Sequence, residues 1–379
     1  MKILNVNSYI DLVNGGGTAE RTYQMSRFQA KSGHDVFILT TDAGIEKGIP
    51  AGLEDVTVDV LPCLSKRFFV PRFKKKELVK LLIRMDVIHL MGNWSILNAI
   101  VAYFAHKLNK PYVVCPAGAL EIMGRSKCLK HIYKFFWGKK IIHKAVRCIA
   151  VTKSEFSAFK KCGIDEGKIS IIPNGVDLDS IPEFIDNKFV SEFWLPKKNF
   201  ILFMGRLNSI KGPDILLEAY ISLKDKLRNF DLVFVGPDGG LRDELEERCE
   251  LAGIGKRVHF IGYLDGKEKY QAYYSASILA IPSRKEAMSI VAIEAGVTGT
   301  PVLLTDQCGF DEVQHVGGGF IVSASVDGLR DGLINMVTHR FELENMGKKL
   351  KEYTRLNYSW SSVINVYNEL YSLFGNLGK

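Results

Sequence analysis

The sequence predicts an α/β protein made of two doubly wound, parallel-sheet domains, and three observations carry that prediction. Short β-branched runs alternate with amphipathic helical segments along the chain, the pattern of βαβ units with helices on both faces of a sheet. A turn-rich stretch, "PNGVDLDSIPEF", interrupts this alternation near the middle. The 379 residues also exceed the roughly 250–300 at which single cores stop growing.

In order along the first half, strands are predicted at 2–7, 35–40, 56–60, 86–90, 111–115, 147–151 and 168–172, with helical segments at 18–31, 74–84, 94–108 and 127–145. After the break, strands are predicted at 199–205, 231–236, 257–262, 277–283, 300–305 and 318–322. The closing stretch "SWSSVINVYNELYSLF" (359–374) reads as an amphipathic helix. The expected division is therefore a first domain over 1–172, a linker over 173–198 and a second domain over 199–356. Residues 357–379 are expected to cross back to the first domain. Open α/β sheets bind ligands outside the carboxyl ends of their strands, so two such domains are expected to face each other across a ligand cleft.

Composition narrows the class. With 47% hydrophobic and 24% charged residues the chain is an ordinary globular sequence. Seven cysteines, an odd number without a CxxC pair, fit reduced thiols rather than a disulfide framework or zinc site. The start "MKILNVNSYI" runs into a strand pattern without a long apolar run, so no signal peptide is expected. The most apolar helical segment, "WSILNAIVAYFAHKL", is too short to span a bilayer, which needs about 20 apolar residues. A soluble or peripheral cytoplasmic protein is the expectation.

The net charge of +8 is unevenly placed. Residues 1–170 hold 27 Lys+Arg against 14 Asp+Glu, and the remainder 23 against 28. A basic half suits an anionic partner, a membrane surface or a nucleic acid; a merely solvated surface is the alternative. "KRFFVPRFKKKELVKLL" (66–82) and "KCLKHIYKFFWGKKIIHKAV" (127–146) interleave cations with Phe, Trp and Ile, which suits a helix lying on an anionic membrane. Ordinary packing against the sheet is the competing reading, and no nucleic-acid recognition motif accompanies these charges.

Three motifs carry chemistry. "NGGGTAER" (14–21) follows the first strand and opens a helix, where glycines allow close approach and free N–H groups face anions. From Gly15 it reads GxGxxE, with Glu20 in place of the third Gly, which disfavours NAD. In "MGRLNSIKGPDILLEA" (204–219), Arg206 and Lys211 stand beside a helix that starts at Gly212-Pro213, two cations suited to a diphosphate. "SRKEAMSIVAIEAGVTGTPVLLT" (283–305) places Glu286 in a strand-to-helix turn and Glu294 about one and a half turns into the helix. A turn carboxylate can accept sugar hydroxyls and a helical one the hydroxyls of a ribose. Taken alone, a capping carboxylate and a solvated Glu fit as well. His89, Asn93 and Trp94 follow the strand "DVIHL" and could contact a sugar, although His89 also fits a satisfied strand-end residue. "DLD" (177–179) has the form of a metal-binding DxD but lies in the linker.

In this order, the Gly-rich loop, "PNGVD", "GRLNSIKG", "FIGYLD", "PSRKEAMSIVAIEAGVTGTPV" and a terminal "SW…Y…LY" closely resemble the GT-B retaining glycosyltransferases of family 4 over nearly the whole chain. The resemblance implies a GT-B fold of two Rossmann-like domains and the transfer of a hexose from a nucleotide sugar, UDP-linked, to a glycan or polyprenol-linked acceptor. The setting it implies is cell-surface polysaccharide synthesis on the inner face of the membrane. Arg206 and Lys211 would bind the donor diphosphate and neutralise the leaving nucleotide. Glu286 would contact the transferred sugar and Glu294 the ribose. Amides around Ala287, Met288, Ser289 and Ile290 would meet sugar or phosphate, and backbone at Tyr263 and Leu264 the base. Gly16 and Gly17 would close over the donor, with His89, Asn93, Trp94 and Gly118 on the acceptor side. No metal and no other cofactor is implied, and no nucleic acid. Two positions depart from the family: Ala117 in "PAGALE" (116–121) stands where many relatives have His, and Ser289 where Gly is common, narrowing the room for the sugar. Two other functions fit the same residues, a nucleotide-sugar epimerase of GT-B fold and a non-catalytic nucleotide-sugar-binding protein.

Overall fold

The computed structural model describes residues 1–374 except 13–14, 46–47, 66–68, 121–126, 183–187, 194 and 196–198. Asn14 of the glycine-rich segment, Lys66, Arg67 and Phe68 of the first basic segment, and Glu121 of "PAGALE" thus lie outside the described residues. The chain forms two units, one of residues 1–175 with 360–379 and one of residues 176–359.

The first unit is built on strands β1 (Lys2–Val6), β2 (Asp35–Thr41), β3 (Val56–Leu61), β6 (Val87–Met91), β7 (Tyr112–Cys115), β8 (Arg147–Ala150) and β9 (Ile169–Ile171); a small antiparallel pair, β4 (Cys63–Ser65) and β5 (Val70–Pro71), intervenes. The seven form one parallel sheet in the order β3-β2-β1-β6-β7-β8-β9. Its central strands are buried on both faces, as a sheet covered by helices on both sides requires. Leu4, Val6, Leu90, Val114 and Ala150 meet helical residues such as Leu82, Leu97 and Phe159 in the core.

The helix Gly16–Lys31 packs against the last helix, Trp360–Ser372, with Phe28 stacked on the buried Trp360 at 6.5 Å. A polar seam runs under these two helices. Asn5 donates to Ser26 and Gln29, Gln29 donates to the Tyr371 hydroxyl, and the Arg21 guanidinium donates to Tyr367 and Asn174. Buried polar groups need such partners, so the seam specifies where the last helix sits.

The second unit carries β10 (Phe200–Met204), β11 (Asp231–Val235), β12 (Val258–Gly262), β13 (Ile278–Ile281), β14 (Val302–Thr305) and β15 (Gly319–Val322). They form a parallel sheet in the order β12-β11-β10-β13-β14-β15, over a core that includes Phe203, Leu216, Tyr220, Phe234 and Leu303. Every strand expected from the sequence is present, and so the two parallel sheets stand as predicted. The order reverses between β10 and β13. Open α/β sheets bind ligands at such a reversal point.

Candidate functional site

Both sequence motifs of the second unit leave that reversal point. After β10 the chain runs through Arg206 to Lys211 and enters the helix Pro213–Ser222. After β13 it runs through Ser283 and Glu286 to the helix Ile290–Thr298.

The two loops are stitched together. Arg284 donates its amide to the Ile210 carbonyl at 2.8 Å, and its guanidinium makes two bonds to Asp214 at 2.8 and 2.6 Å. Burial alone would raise the Asp214 pKa, but the Arg284 bonds and charge outweigh it and hold the carboxyl below its ordinary value. Gly212 has φ +72°, and a Cβ there would lie 2.1 Å from the Pro282 carbonyl oxygen, so only glycine lets the loops meet. The second loop is also strapped to the loop after β14: the amides of Glu286 and Ser289 donate to Gln307 and Cys308, and Thr305 donates to the Ser283 carbonyl.

On this frame Lys211 and Glu286 come together, with Nζ 2.8 Å from Oε1. The Glu286 side chain is only 8% exposed, and Ser283 Oγ donates to the same oxygen. Asn208 accepts the Lys211 amide on its side chain and its carbonyl, fixing where the lysine leaves the loop. Arg206 is half-buried at the start of this loop, its stem close to Gly239. A fixed cation and a largely buried carboxylate at a sheet's reversal point can hold an anionic, hydroxylated ligand.

Glu294 occupies a second cluster. Its Oε1 lies 2.8 Å from Lys269 Nζ, and its Oε2 accepts the Tyr273 hydroxyl at 2.8 Å. Burial first, then the Glu294 charge, pushes the Tyr273 phenol well above its ordinary pKa, so it remains a donor; the Glu286 charge acts in the same direction. Neither Lys269 nor Tyr273 was singled out by sequence. Their signal is the four-residue spacing on the helix Gly266–Ser275, which puts both on one face. Arg284 and Ser283 were also missed, although both lie in the motif itself.

Other predicted residues fall as follows. Tyr263 is 45% exposed after β12, while Leu264 is buried. Ala287 and Ile290 are half-buried, and Met288 is buried. Ser289 is fully buried and, although it stands at the helix start, makes no side-chain cap. Its buried hydroxyl has no hydrogen-bond partner among the described residues.

The remaining predicted residues belong to the first unit. Gly16 and Gly17 open the helix Gly16–Lys31. Asn93 donates to the Ala119 carbonyl, and Trp94 packs edge-on to Tyr133 at 5.7 Å. Ala117 and Gly118 both have positive φ, and the Gly118 amide donates to the buried Glu155 at 2.6 Å. Glu155 also accepts the Val151 amide; burial raises its pKa against the pull of these two bonds. The Thr152–Glu155 spacing, a capping box in form, was the available signal for it.

His89 corrects an expectation. It lies within β6 at zero exposure, with Nδ1 3.1 Å from the Tyr371 hydroxyl and its ring tilted on Tyr367. Side chains of a sheet buried on both faces cannot reach an acceptor hydroxyl, so it packs the core instead. Burial, and secondarily Arg21, holds its pKa well below 6.5. The unfolded chain then binds a proton that the folded chain refuses. Stability owed to His89 is present above about pH 6.5 and is lost as pH falls. Thermal midpoints at pH 7.5 and pH 5.0 should diverge less in His89→Gln than in the parent; equal slopes would remove His89 from the acid sensitivity.

Asp177 of "DLD" accepts the Asp179 amide and caps the short turn Leu178–Ser180. Among the described residues no group of three His, Cys, Asp or Glu could hold a metal ion, and no helix is long and apolar enough to cross a membrane.

Comparison with known proteins agrees with this architecture. The family described as Glycosyltransferase Family 4 matches residues 15–180, and Glycosyl transferases group 1 matches residues 184–356. An uncharacterized glycosyltransferase of Methanocaldococcus jannaschii is 26% identical over 95% of this chain and 96% of its own. A D-inositol 3-phosphate glycosyltransferase of Nocardia farcinica is 31% identical over 62% of this chain and 54% of its own. The crystal structure of Anabaena HepE in complex with UDP-glucose superposes with a TM-score of 0.79 at 18% identity, covering 98% of this chain and 99% of that one. With one family matching its first half and the other its second, on two parallel Rossmann-like sheets, the chain belongs to the glycosyltransferases of GT-B fold.

Proposed function

We propose that the protein is a retaining hexosyltransferase that uses a UDP-linked sugar, without a metal, and passes the hexose to a glycan or polyprenol-linked acceptor in cell-surface polysaccharide synthesis. The observation that carries this reading is the Lys211–Glu286 pair at the β10/β13 reversal, beside the helix start at Ser289. Arg206 and Lys211 take the diphosphate, and the amides of Ala287, Met288 and Ile290 add donors to it, the Ser289 amide being bonded to the Cys308 carbonyl. Glu286 accepts from the sugar hydroxyls. Glu294 holds the ribose, with Lys269 and Tyr273 fixing the orientation of its carboxylate. Tyr263 and Leu264 meet the base, and the first unit, through Asn93, Trp94 and the Gly118 turn, meets the acceptor. Anabaena HepE, crystallised with UDP and UDP-glucose on the same fold, supports the choice of base.

Catalysis on this reading is electrostatic. Charge develops on the departing diphosphate, and cations already in place stabilise it without reorganisation. Thermal-shift titration with UDP-, GDP- and ADP-sugars tests the donor, because a ligand stabilises according to its own affinity. UDP-sugars are expected to raise the melting temperature most. Glu294→Ala should weaken UDP binding roughly 10–100-fold, as expected for about 1.5–3 kcal/mol from hydrogen bonds to a charged group. An inverted anomeric configuration in the product, read by NMR, would reject the retaining assignment.

A further inference from the structure

The first unit carries a surface that the donor assignments do not use and that the acceptor assignments touch only at Asn93. Residues Lys127–Lys144 form one continuous helical stretch, α-helical at both ends with a π turn over Lys134–Gly138 between. Tyr133 and Gly138 are both buried, five residues apart, as are Ile141 and Ile142. Inward positions of an α-helix recur at three and four, so the wider turn shifts the register by one. It leaves three consecutive aromatics outside: Phe135 at 75% exposure, Phe136 at 54% and Trp137 at 49%. Leu129 and Ile132, one turn earlier, are exposed as well. The three rings touch in series and rest through Trp137 on Tyr133. No other run of described residues exposes three aromatics together, and such patches on a folded chain mark interaction surfaces.

Charge decides the partner. Residues 122–154 contain no Asp or Glu and nine Lys or Arg. Beside the ridge, Lys134, Lys139, His143 and Lys161, with Asn93, line a cavity of about 250 Å³. Apolar rings flanked by cations, with no anion among them, match the boundary between lipid headgroups and acyl chains. A nucleic acid would engage the lysines but gain nothing from Leu129 and Ile132.

We propose that this ridge docks the protein on an anionic bilayer, with Phe135, Phe136 and Trp137 entering the interface and the lysine-lined cavity receiving a lipid headgroup phosphate. The inference deepens the reading of a lipid-linked acceptor and rests on it only for its purpose; it shares no residue with the donor cluster. The full chain is tested by flotation with vesicles of phosphatidylglycerol and phosphatidylcholine against phosphatidylcholine alone. At least tenfold tighter binding to the anionic vesicles is expected, weakening as salt is added. The triple variant Phe135→Ser, Phe136→Ser, Trp137→Ser should lose at least tenfold in vesicle affinity while keeping its melting temperature and its shift with UDP. Lys134→Gln with Lys139→Gln should remove the preference for anionic lipid. Should the triple variant melt early, Phe135→Ser alone and quenching by dibrominated lipid, lost in Trp137→Phe, decide the matter. Equal binding to both vesicle types, or full binding by the triple variant, overturns the proposal. So does retention on RNA without vesicle binding, or a dimer in solution that the triple variant dissociates. Absence of a UDP shift in the parent would count against the donor reading and leave the vesicle result standing.

Discussion

Replacing Lys211 with alanine is expected to lower turnover about 10²–10³-fold, the usual loss when one fixed donor to developing transition-state charge is removed. The structure sets the scale. Lys211 is not a mobile surface cation, because Asn208 fixes its backbone and Glu286 fixes its ammonium at 2.8 Å. A cation held before the substrate arrives needs no reorganisation as the diphosphate leaves. Its removal should therefore act on kcat more than on KM. Lys211→Arg, which keeps the charge but alters its reach, should recover part of the loss. The melting temperature of Lys211→Ala serves as the control, since the variant also strips Glu286 of its counter-ion. Near-parental kcat in a folded variant would remove Lys211 from the chemistry.

Arg21→Met is expected to destabilise the first unit by about 3–5 kcal/mol, the cost of breaking a buried charged network by removing one member. Arg21 is only 1% exposed. Its guanidinium donates to the Asn174 side chain, the Pro173 carbonyl and the Tyr367 hydroxyl. Burial works against its charge, but Cys115, Tyr367 and Glu155 more than compensate and its pKa is raised. Burial raises the Glu155 pKa beneath the Gly118 turn, and the same Arg21 charge pulls against that rise. At ~2–4 °C per kcal/mol for a domain of this size, the melting point should fall by roughly 6–20 °C. Hydrogen exchange adds a local readout: amides of Trp360–Ser372 should lose protection first, because Arg21 ties that helix through Tyr367. An unchanged melting point would show that the seam's other bonds suffice.

The two carboxylates of residues 283–305 show how far sequence reading reached. The turn position of Glu286 and the helical position of Glu294 follow from strand and helix boundaries alone, and the structure agrees with both. Their partners did not follow from local pattern. Lys269 lies 25 positions from Glu294, and Asp214 lies 70 positions from Arg284. His89 shows the same limit from the other side: "DVIHL" marks a strand, but only the return of the last helix shows that it is covered. The π turn was equally hidden, because "KFFWG" is compatible with an unbroken helix until the inward positions of Tyr133 and Gly138 are known.

By itself the sequence determined the elements, the two-unit plan and the cation and carboxylate motifs at strand ends. Those depend on neighbouring residues: β-branched runs must be buried on both faces of a parallel sheet, and Gly-Pro or Ser starts the helix that follows. Tertiary structure alone decided which charges pair, which histidine is buried and which aromatics remain outside. Those outcomes depend on the strand order, which places β10 beside β13 and brings loops 70 positions apart within hydrogen-bond reach.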